Sequence, residues 1–232
     1  MLSNLLRKFQ HTYHPVVPFN AATDKLMLMD FTESNTTLTA AIFDDTQEFS
    51  AYINEQLTNA NALYGIGGYN ENRYIYSRSK HFDGPLNTEP RRIHLGIDIW
   101  GKAGTSVFAP LGGMVHSFAY NDHFGDYGAT IVLLHQLDGM PFYTLYGHLS
   151  RKDIATLNEG EYISIGQEFA HFGDASENGN WPPHLHFQVI ENMELKKGDY
   201  PGVCTLSEQN KYLSNCPDPD FILNMIQFAK SM

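Results

Sequence analysis

The sequence predicts a mainly β fold that is preceded by an α+β extension and followed by a helix. Aromatic residues make up 13% of the 232 residues, and 19 glycines accompany them. Strands favour aromatic residues and turns favour glycine. Between about residues 91 and 191, short apolar segments alternate with Gly, Asn and Asp turns, and the clearest strands lie at 131–134, 142–146 and 185–189. This spacing of short strands is typical of a sandwich or a barrel.

The first 80 residues have the pattern of an irregular α+β segment. Short strands are predicted at residues 25–29 and 37–42. A helix is predicted at residues 45–59, because Asp45 and Glu48 have the spacing of a capping box. The apolar stripe of that helix consists of Phe49, Tyr52, Ile53 and Leu57.

These patterns divide the chain into three parts. Residues 1–85 are the α+β extension, residues 86–200 the mainly β domain and residues 201–232 a tail. A helix from about Asp218 closes the tail, since Pro219 suits a first helical turn. Its apolar face consists of Phe221, Ile222, Met225, Ile226 and Ala229. We expect this face to pack on the β domain of a monomer, and pairing in a weak dimer is the alternative.

Charge and hydropathy exclude several classes of partner. Acidic residues outnumber Lys and Arg by 26 to 15, which gives a net charge of −11. This balance argues against a nucleic-acid binder and against electrostatic capture by an anionic membrane or polymer, because no basic surplus is available to neutralise phosphates. No apolar run approaches the ~20 residues that a membrane helix needs.

The N-terminal segment and the cysteines bear on the compartment. Arg7 and Lys8 follow a short apolar patch, whereas a secretory signal places its basic residues before ~7–15 apolar ones. The sequence therefore predicts a cytoplasmic protein. Cys204 and Cys216 cannot form a structural zinc site alone. Without an export signal, free thiols are favoured over a local disulfide.

Histidine is the most informative residue type, with 11 copies, and it forms three clusters with other polar residues. In the first cluster, His94 and Asp98 lie on one face of an extended segment. A straight strand would separate their Cα atoms by roughly 13 Å, which is long for two side chains that share one ion. Gly96 between them allows a bend or a bulge that would shorten this distance.

The other two clusters are Tyr-Gly-His-Leu-Ser at 146–150 and His-Leu-His-Phe at 184–187. His184 and His186 leave the same face of a strand about 6.6 Å apart, so that one imidazole can hold a metal while the other stands beside it. Leu185, Phe187 and Val189 then point into the core. The spacing leaves open which of the two histidines is the ligand.

Two histidines and one aspartate form a three-donor set that suits catalytic zinc better than structural zinc. A further histidine near the metal could accept a proton from the water or steady a developing oxyanion. The His-x-His doublet is also compatible with a cupin, in which Glu191 would be a further ligand. A cupin needs another histidine later in the chain, and none follows His186.

Five segments occur in an order that is similar to one known family. They are HLGIDIWGKAGTSVFAPLGGMV, DYGATIVLLH, FYTLYGHLS, IGQEFAHFGD and PHLHF, within roughly residues 90–192. Together they resemble the lysostaphin-type, or LytM-like, zinc metallopeptidases. The resemblance implies a mainly antiparallel β fold of the duplicated-hybrid type. It also implies hydrolysis of peptide bonds by zinc-activated water, usually in the cross-links of bacterial peptidoglycan.

The resemblance assigns roles position by position. It implies that His94, Asp98 and His186 ligate one Zn²⁺ ion, and that His148 and His184 flank the water as general base or oxyanion stabiliser. The chain departs from the family at Gln188, where relatives often carry Glu, and in the bulky loop 178–183. Most relatives are exported, although no signal is seen here.

Further positions are weaker candidates. Tyr146 and Trp181, near His148 and His184 along the chain, are candidate substrate contacts, and so is His123 in the loop 121–128. Asn70 or Asn72 could fill the open metal position in a latent form. Two alternatives to a wall peptidase remain: a peptidase of other peptides, and a metal-binding regulator that does not hydrolyse its ligand.

Overall fold

Thirteen β-strands dominate the part of the chain that the computed structural model describes, residues 1–85 and 88–230. The strands are β1 (Leu26–Leu28), β2 (Tyr64–Gly67), β3 (Ile93–His94), β4 (Ile97–Trp100), β5 (Ser106–Phe108), β6 (Gly113–Asn121), β7 (Gly128–Leu137), β8 (Met140–Leu149), β9 (Tyr162–Ile163), β10 (Glu168–His171), β11 (His184–Ile190), β12 (Val203–Cys204) and β13 (Ala229–Lys230). The predicted mainly β fold is confirmed.

Helices are short and lie mostly outside the central β region. The α-helices are α1 (Leu2–Lys8), α2 (Ala40–Phe43), α3 (Thr46–Ala60), α4 (Arg151–Ile154), α5 (Gln209–Asn215) and α6 (Asp220–Leu223). The 3₁₀ turns are Gln10–Thr12, Tyr74–Arg78, Lys80–Phe82 and Ile226–Phe228. Among the described residues, no helix has the length and the apolar character needed to cross a membrane.

One nine-stranded sheet organises the molecule, with the strand order β13-β1-β2-β4-β11-β8-β7-β6-β9. Its strands from β4 through β11, β8 and β7 to β6 are antiparallel neighbours. The extension adds β2 antiparallel to β4, and β1 lies parallel to β2. Residues of the extension therefore continue the same sheet as the central strands.

The two faces of the central strands differ in character. Ile97, Ile99, Leu185, Phe187 and Val189 are buried in the main apolar core, as alternation along β11 predicts. The residues between them on β4 and β11 face the other way, toward a second cluster of aromatic side chains from the extension. The polar motif residues are thus enclosed between the sheet and the extension.

Two predicted elements of the extension agree with the structure. The strand at 25–29 is confirmed as β1, and the helix at 45–59 is confirmed as α3. The Asp45 carboxylate accepts the backbone N–H groups of Gln47 and Glu48, which are left unpaired at the start of a helix.

The strand predicted at 37–42 is wrong, because the chain turns and forms α2 from Ala40. The Asn35 side chain accepts the backbone N–H and the hydroxyl of Thr37. Such local side-chain bonds compete with strand pairing.

The tail begins its helix as predicted, but the helix is shorter than its apolar pattern indicates. α6 ends at Asn224, which is left-handed with a φ of 51°. The Asp220 carboxylate accepts the N–H groups of Met225 and Ile226. These groups therefore cannot donate the backbone hydrogen bonds that a longer helix would need. The following residues reach β13, and Ile222, Leu223 and Met225 are buried in the main core. Both cysteines are buried and free, as predicted.

Candidate metal centre

His94 and Asp98 are brought together by a break in the strand that carries them. β3 ends at His94 and β4 starts at Ile97, so the two residues do not share one straight strand. His94 Nε2 lies 3.3 Å from Asp98 Oδ1. The predicted bend at Gly96 is confirmed. A Cβ atom at Gly96 would lie 2.5 Å from His186 Cε1, so only glycine permits the imidazole to lie there.

His186 completes the group from the neighbouring strand. It pairs directly with Asp98 in the register of β11 and β4. His186 Nδ1 lies 3.1 Å from Asp98 Oδ1 and 2.9 Å from His94 Nε2. The three side chains are buried and can direct one donor atom each at a common point. The structure therefore selects His186 over His184 as the third member of the group.

Groups behind the two imidazoles determine which nitrogen is protonated. His94 Nδ1 lies 3.2 Å from the Gly68 carbonyl oxygen, which can only accept a hydrogen bond. His186 Nε2 lies 3.0 Å from Gln188 Oε1, and the Gln188 amide group donates to the Pro201 carbonyl. These oxygen acceptors favour the tautomer with the proton on the outer nitrogen, as in protein metal sites.

In this tautomer, three acceptor atoms face one another: His94 Nε2 and His186 Nδ1, each with a lone pair, and Asp98 Oδ1. Burial and the Arg73 charge lower the pKa of His94 to about 3, so its imidazole is neutral at pH 7. The pKa of Asp98 is lowered well below its usual range, by its histidine neighbours and Arg73 against the effect of burial. Acceptors this close are stabilised by a cation between them, and the N, N, O set fits Zn²⁺.

His148 and His184 lie beside this group, with their ring centroids 4.0 Å apart. His148 Nδ1 donates to the Asn178 carbonyl and His184 Nδ1 to the Pro182 carbonyl, both at 2.8 Å. Their Nε2 atoms therefore keep a lone pair. Burial lowers the pKa of His184 to about 4 and that of His148 well below its usual value, so both are neutral at pH 7.

The position of His148 depends on an irregularity in β8. Its register with β7 shifts between Ala129, opposite Leu149, and Ile131, opposite Tyr146. His148 has a φ of 61°. A bulge of this kind redirects a side chain. It places His148 in the site, whereas Tyr146 stays in the main core.

The weaker sequence candidates have different surroundings. Trp181 is buried, and its ring centroid is 6.3 Å from those of His148 and His184. Tyr146 is fully buried in the core, 3.0 Å from the Thr144 hydroxyl. His123 is exposed in a loop.

The two candidate latency ligands are exposed and do not line the site cavity. The Asn70 amide oxygen accepts from Gln209 Nε2 at 2.6 Å, and Asn72 forms a backbone bridge with Ile93. The structure thus brings together His94, Asp98, His186, His148, His184 and Trp181, and it does not bring Tyr146, His123, Asn70 or Asn72 to them.

A cavity of about 150 Å³ opens beside the histidines. Its walls include Tyr76 and Phe82 from the extension, Trp181 from the loop before β11, and Tyr200 from the tail side. Asp98, His148, His184 and His186 also line it, so the buried polar groups face this space.

Sequence reasoning missed Arg73 and also Tyr127, whose hydroxyl lies 3.4 Å from His186 Nε2. The side chain of Arg73 is fully buried, and its Nη1 bonds Asp98 Oδ2. Arg73 lies outside the five family-like segments and follows a Gly- and Asn-rich stretch, so no local pattern marks it.

The donor set, with two neutral histidines beside it, is typical of metal-dependent hydrolases. Residues 92–197 match the model of a family described as Peptidase family M23. This segment contains all five clustered side chains from His94 to His186. The resemblance seen in the sequence is therefore confirmed, because the model of peptidase family M23 matches residues 92–197, a little under half of the chain.

Three solved structures are among those that match this chain. The catalytic domain of the antimicrobial peptidase lysostaphin from Staphylococcus simulans is 23% identical, over 75% of this chain and 97% of that one, with a TM-score of 0.43. A zinc containing peptidase from Vibrio cholerae is 25% identical, over 46% of this chain and 29% of that one, with a TM-score of 0.34. Csd3 from Helicobacter pylori is 22% identical, over 53% of this chain and 32% of that one, with a TM-score of 0.35. No curated protein matches this chain.

Proposed function

We propose that this protein is a zinc-dependent metalloendopeptidase that hydrolyses peptide bonds in the cross-links or stem peptides of peptidoglycan. The observation that carries the proposal is the convergence of five buried side chains, His94, Asp98, His186, His148 and His184, within a domain of a peptidase family. One Zn²⁺ ion per chain would be held by the first three.

The charges around the site support a cation. Arg73 is paired with Glu71, with Nε and Oε2 2.8 Å apart. Arg73 also bonds Asp98, so that one guanidinium faces two carboxylates and a net negative charge remains beside the two histidines. A buried carboxylate among lone pairs is costly unless a positive group faces it. A divalent ion between His94, Asp98 and His186 would meet this requirement.

The chain's own residues supply the remaining chemistry. Bound zinc would polarise the scissile carbonyl and lower the pKa of a water molecule. His148, a neutral imidazole with its Nε2 lone pair free, is placed to accept the proton of that water and to return it to the leaving amine. His184 stacks on Trp100 with a centroid distance of 3.9 Å, which holds its ring in place to donate or accept at the developing oxyanion.

The carbonyls behind these two histidines come from the bulky loop 178–183. Asn178 is itself fixed, because its amide nitrogen donates to the Trp181 carbonyl and its amide oxygen accepts the Trp181 N–H, both at 3.0 Å. A rigid loop keeps each Nδ1–H directed at its carbonyl and each Nε2 directed at the site. This loop therefore orients the proposed proton-transfer groups.

The substrate proposal follows from the family resemblance and the position of the cavity. The cavity lies beside the histidines, where a bound peptide would reach them. Peptidoglycan cross-links are often rich in glycine and D-amino acids, in keeping with the resemblance. Trp181, in the cavity wall, is the proposed substrate contact.

The test is to incubate zinc-loaded protein with purified peptidoglycan, with and without a chelator, and to identify released fragments by mass spectrometry. We expect new amine termini that disappear with chelator and in His148→Ala protein. Stoichiometric zinc without any released fragment would favour either the non-hydrolytic regulator or a peptidase of other peptides. A set of unrelated oligopeptides then separates these two.

A further inference from the structure

Arg73 bonds one of the two carboxylate oxygens of Asp98, and the other oxygen faces the histidines. Arg73 Nη1 bonds Oδ2 of Asp98, which forms with His94 and His186 the proposed metal-binding triad. The other oxygen, Oδ1, faces His186 Nδ1 at 3.1 Å and His94 Nε2 at 3.3 Å. A carboxylate held in this way offers one oxygen to a metal and keeps the second oxygen occupied.

Arg73 is itself held on several sides. Its Nε bonds Glu71 Oε2 at 2.8 Å, and its Nη1 also lies 3.3 Å from the Tyr76 hydroxyl. Its guanidinium carbon lies 5.2 Å from the ring centroid of Phe31. A planar guanidinium with several fixed partners has one orientation, which the single point charge of a lysine would not reproduce.

Glu71 determines the electrostatic effect of this arrangement. An unpaired guanidinium beside the triad would repel a cation, but the Glu71 carboxylate faces it at 2.8 Å. Glu71 thus offsets the charge of Arg73 in part, and the effect that we assign to Arg73 is geometric, because it fixes the direction of the Asp98 carboxylate. Removal of Arg73 should therefore weaken metal binding.

The same short segment supports a second member of the triad. Gly68 supplies the carbonyl that bonds His94 Nδ1 at 3.2 Å, and Gly67 pairs with Asp98 in the register of β2 and β4. Gly67, Gly68 and Arg73 all precede residue 92, where the match to peptidase family M23 begins. The extension thus supplies groups that bond or pair with two of the three proposed metal ligands, His94 and Asp98.

We propose that Arg73 is a positioning residue of the metal centre, which holds Asp98 as a one-oxygen ligand and makes the extension part of that centre. This inference rests on the proposed zinc site. It assigns Arg73 no contact with substrate. Groups that orient metal ligands typically contribute 10- to 100-fold to metal affinity, which gives the expected size of the effect as roughly that range.

The experiment compares full-length wild-type protein with Arg73→Met, Arg73→Lys and a control, Arg92→Met. Arg92 forms an ion pair with Asp83 at 2.8 Å, and its side chain does not contact the triad. Zinc affinity is measured by competition with a chromophoric chelator. Cobalt(II) replaces zinc for a visible absorption spectrum, which reports the number and arrangement of ligands. Circular dichroism checks the fold of each variant.

We expect Arg73→Met to bind zinc about 10- to 100-fold more weakly than wild type. Its cobalt absorption should be weaker, because the freed Asp98 can then bind through both oxygens and raise the coordination number. Arg73→Lys should lie between the two, and Arg92→Met should match wild type in both measurements. If Arg73→Met does not fold, Arg73→Lys decides, since it keeps the charge and loses the planar fork.

Other outcomes would overturn the inference. Unchanged zinc affinity and cobalt spectrum in the folded Arg73 variants would mean that Arg73 only stabilises the fold. Tighter binding would mean that Arg73 competes with the metal for Asp98. Wild-type protein that binds no zinc would instead refute the proposed function, and this result is read from the wild type alone.

Discussion

Two buried histidine environments on the same sheet differ in one respect that separates a metal site from ordinary packing. His135 on β7 is 1% exposed, with Nδ1 3.0 Å from the Gly112 carbonyl and Nε2 2.7 Å from the Thr144 hydroxyl. Both nitrogens have a hydrogen-bond partner, a carbonyl at Nδ1 and a hydroxyl at Nε2. His94 and His186 are equally buried, yet their inner nitrogens face each other.

The comparison shows that burial does not identify a ligand. Burial lowers the pKa of His135 to about 4, much as it lowers that of His184. What distinguishes His94 and His186 is that their unprotonated nitrogens meet Asp98 Oδ1 instead of a donor. A facing set of acceptors needs a cation, whereas a satisfied imidazole needs nothing further.

The largest expected effect follows from removing a member of the triad. Asp98→Ala or His94→Ala should lose bound zinc and all measurable peptidoglycan hydrolysis, because only two donors remain. His135→Gln, with an equally buried histidine removed, should keep one zinc per chain. Elemental analysis and fragment release measure both. If Asp98→Ala kept one zinc per chain and full turnover, Asp98 would not be a ligand, and the His94–His186 site would not differ from the His135 environment as argued.

Next in size is the loss of a histidine that faces the site without belonging to the triad. His148→Ala should reduce the rate of hydrolysis by about 10²- to 10⁴-fold, the usual contribution of a general acid–base group. Zinc content should stay near one per chain, since His148 is not a proposed ligand. The measurement is the initial rate of fragment release at saturating zinc. A rate close to wild type would remove His148 from its assigned role.

A smaller effect is expected from removing the Gln188 side chain, which bonds the outer nitrogen of His186. Gln188→Leu removes the nearer of the two oxygens beside His186 Nε2 and leaves only the Tyr127 hydroxyl at 3.4 Å, so zinc affinity should fall about 10- to 100-fold. Thr144→Val is the matched control, because it removes the hydroxyl behind His135 in the same way. Chelator competition should show wild-type affinity for Thr144→Val. Equal losses in the two variants would show that the effect is one of general stability.

The last expected effect concerns pH and the His135 environment alone. The folded pKa of about 4 lies below the ~6.5 of an unfolded histidine. The unfolded chain therefore binds more protons between these values, and stability is lost as the pH falls from about 6.5 toward 4. Relative to pH 7, His135 should cost wild type about 2 kcal/mol at pH 5.

Urea unfolding of chelated protein at pH 7 and pH 5 measures this contribution. His135→Gln removes the titration of His135 and keeps that of the other histidines. The difference in unfolding free energy between wild type and His135→Gln should therefore shrink by about 2 kcal/mol at the lower pH. A constant difference would show that His135 is not held neutral by its two partners.

Local pattern accounts for much of this molecule. The alternation of β11 places His184 and His186 on one face and the apolar residues on the other. The capping residue Asp45 marks the start of α3. Gly96 marks the break that brings His94 to Asp98. Each of these depends on neighbours within a few residues, which is why the sequence is sufficient to predict them.

Other features depend on partners far along the chain. The choice of His186 over His184 follows from its register opposite Asp98, 88 residues away. The redirection of His148 away from the face of Tyr146 follows from the shifted register between β8 and β7. Strand alternation alone would have placed Tyr146 and His148 together.

Arg73 and the short tail helix also depend on contacts that local sequence patterns do not reveal. Arg73 reaches Asp98 across 25 residues, through the pairing of β2 with β4. The Asp220 carboxylate ends α6 although the apolar pattern continues, and the residues that follow pair with β1 instead. Periodicity and motif spacing specify which side chains an element presents. Cross-strand register, bulges and buried ion pairs determine which of those side chains meet, because they depend on how distant segments pack.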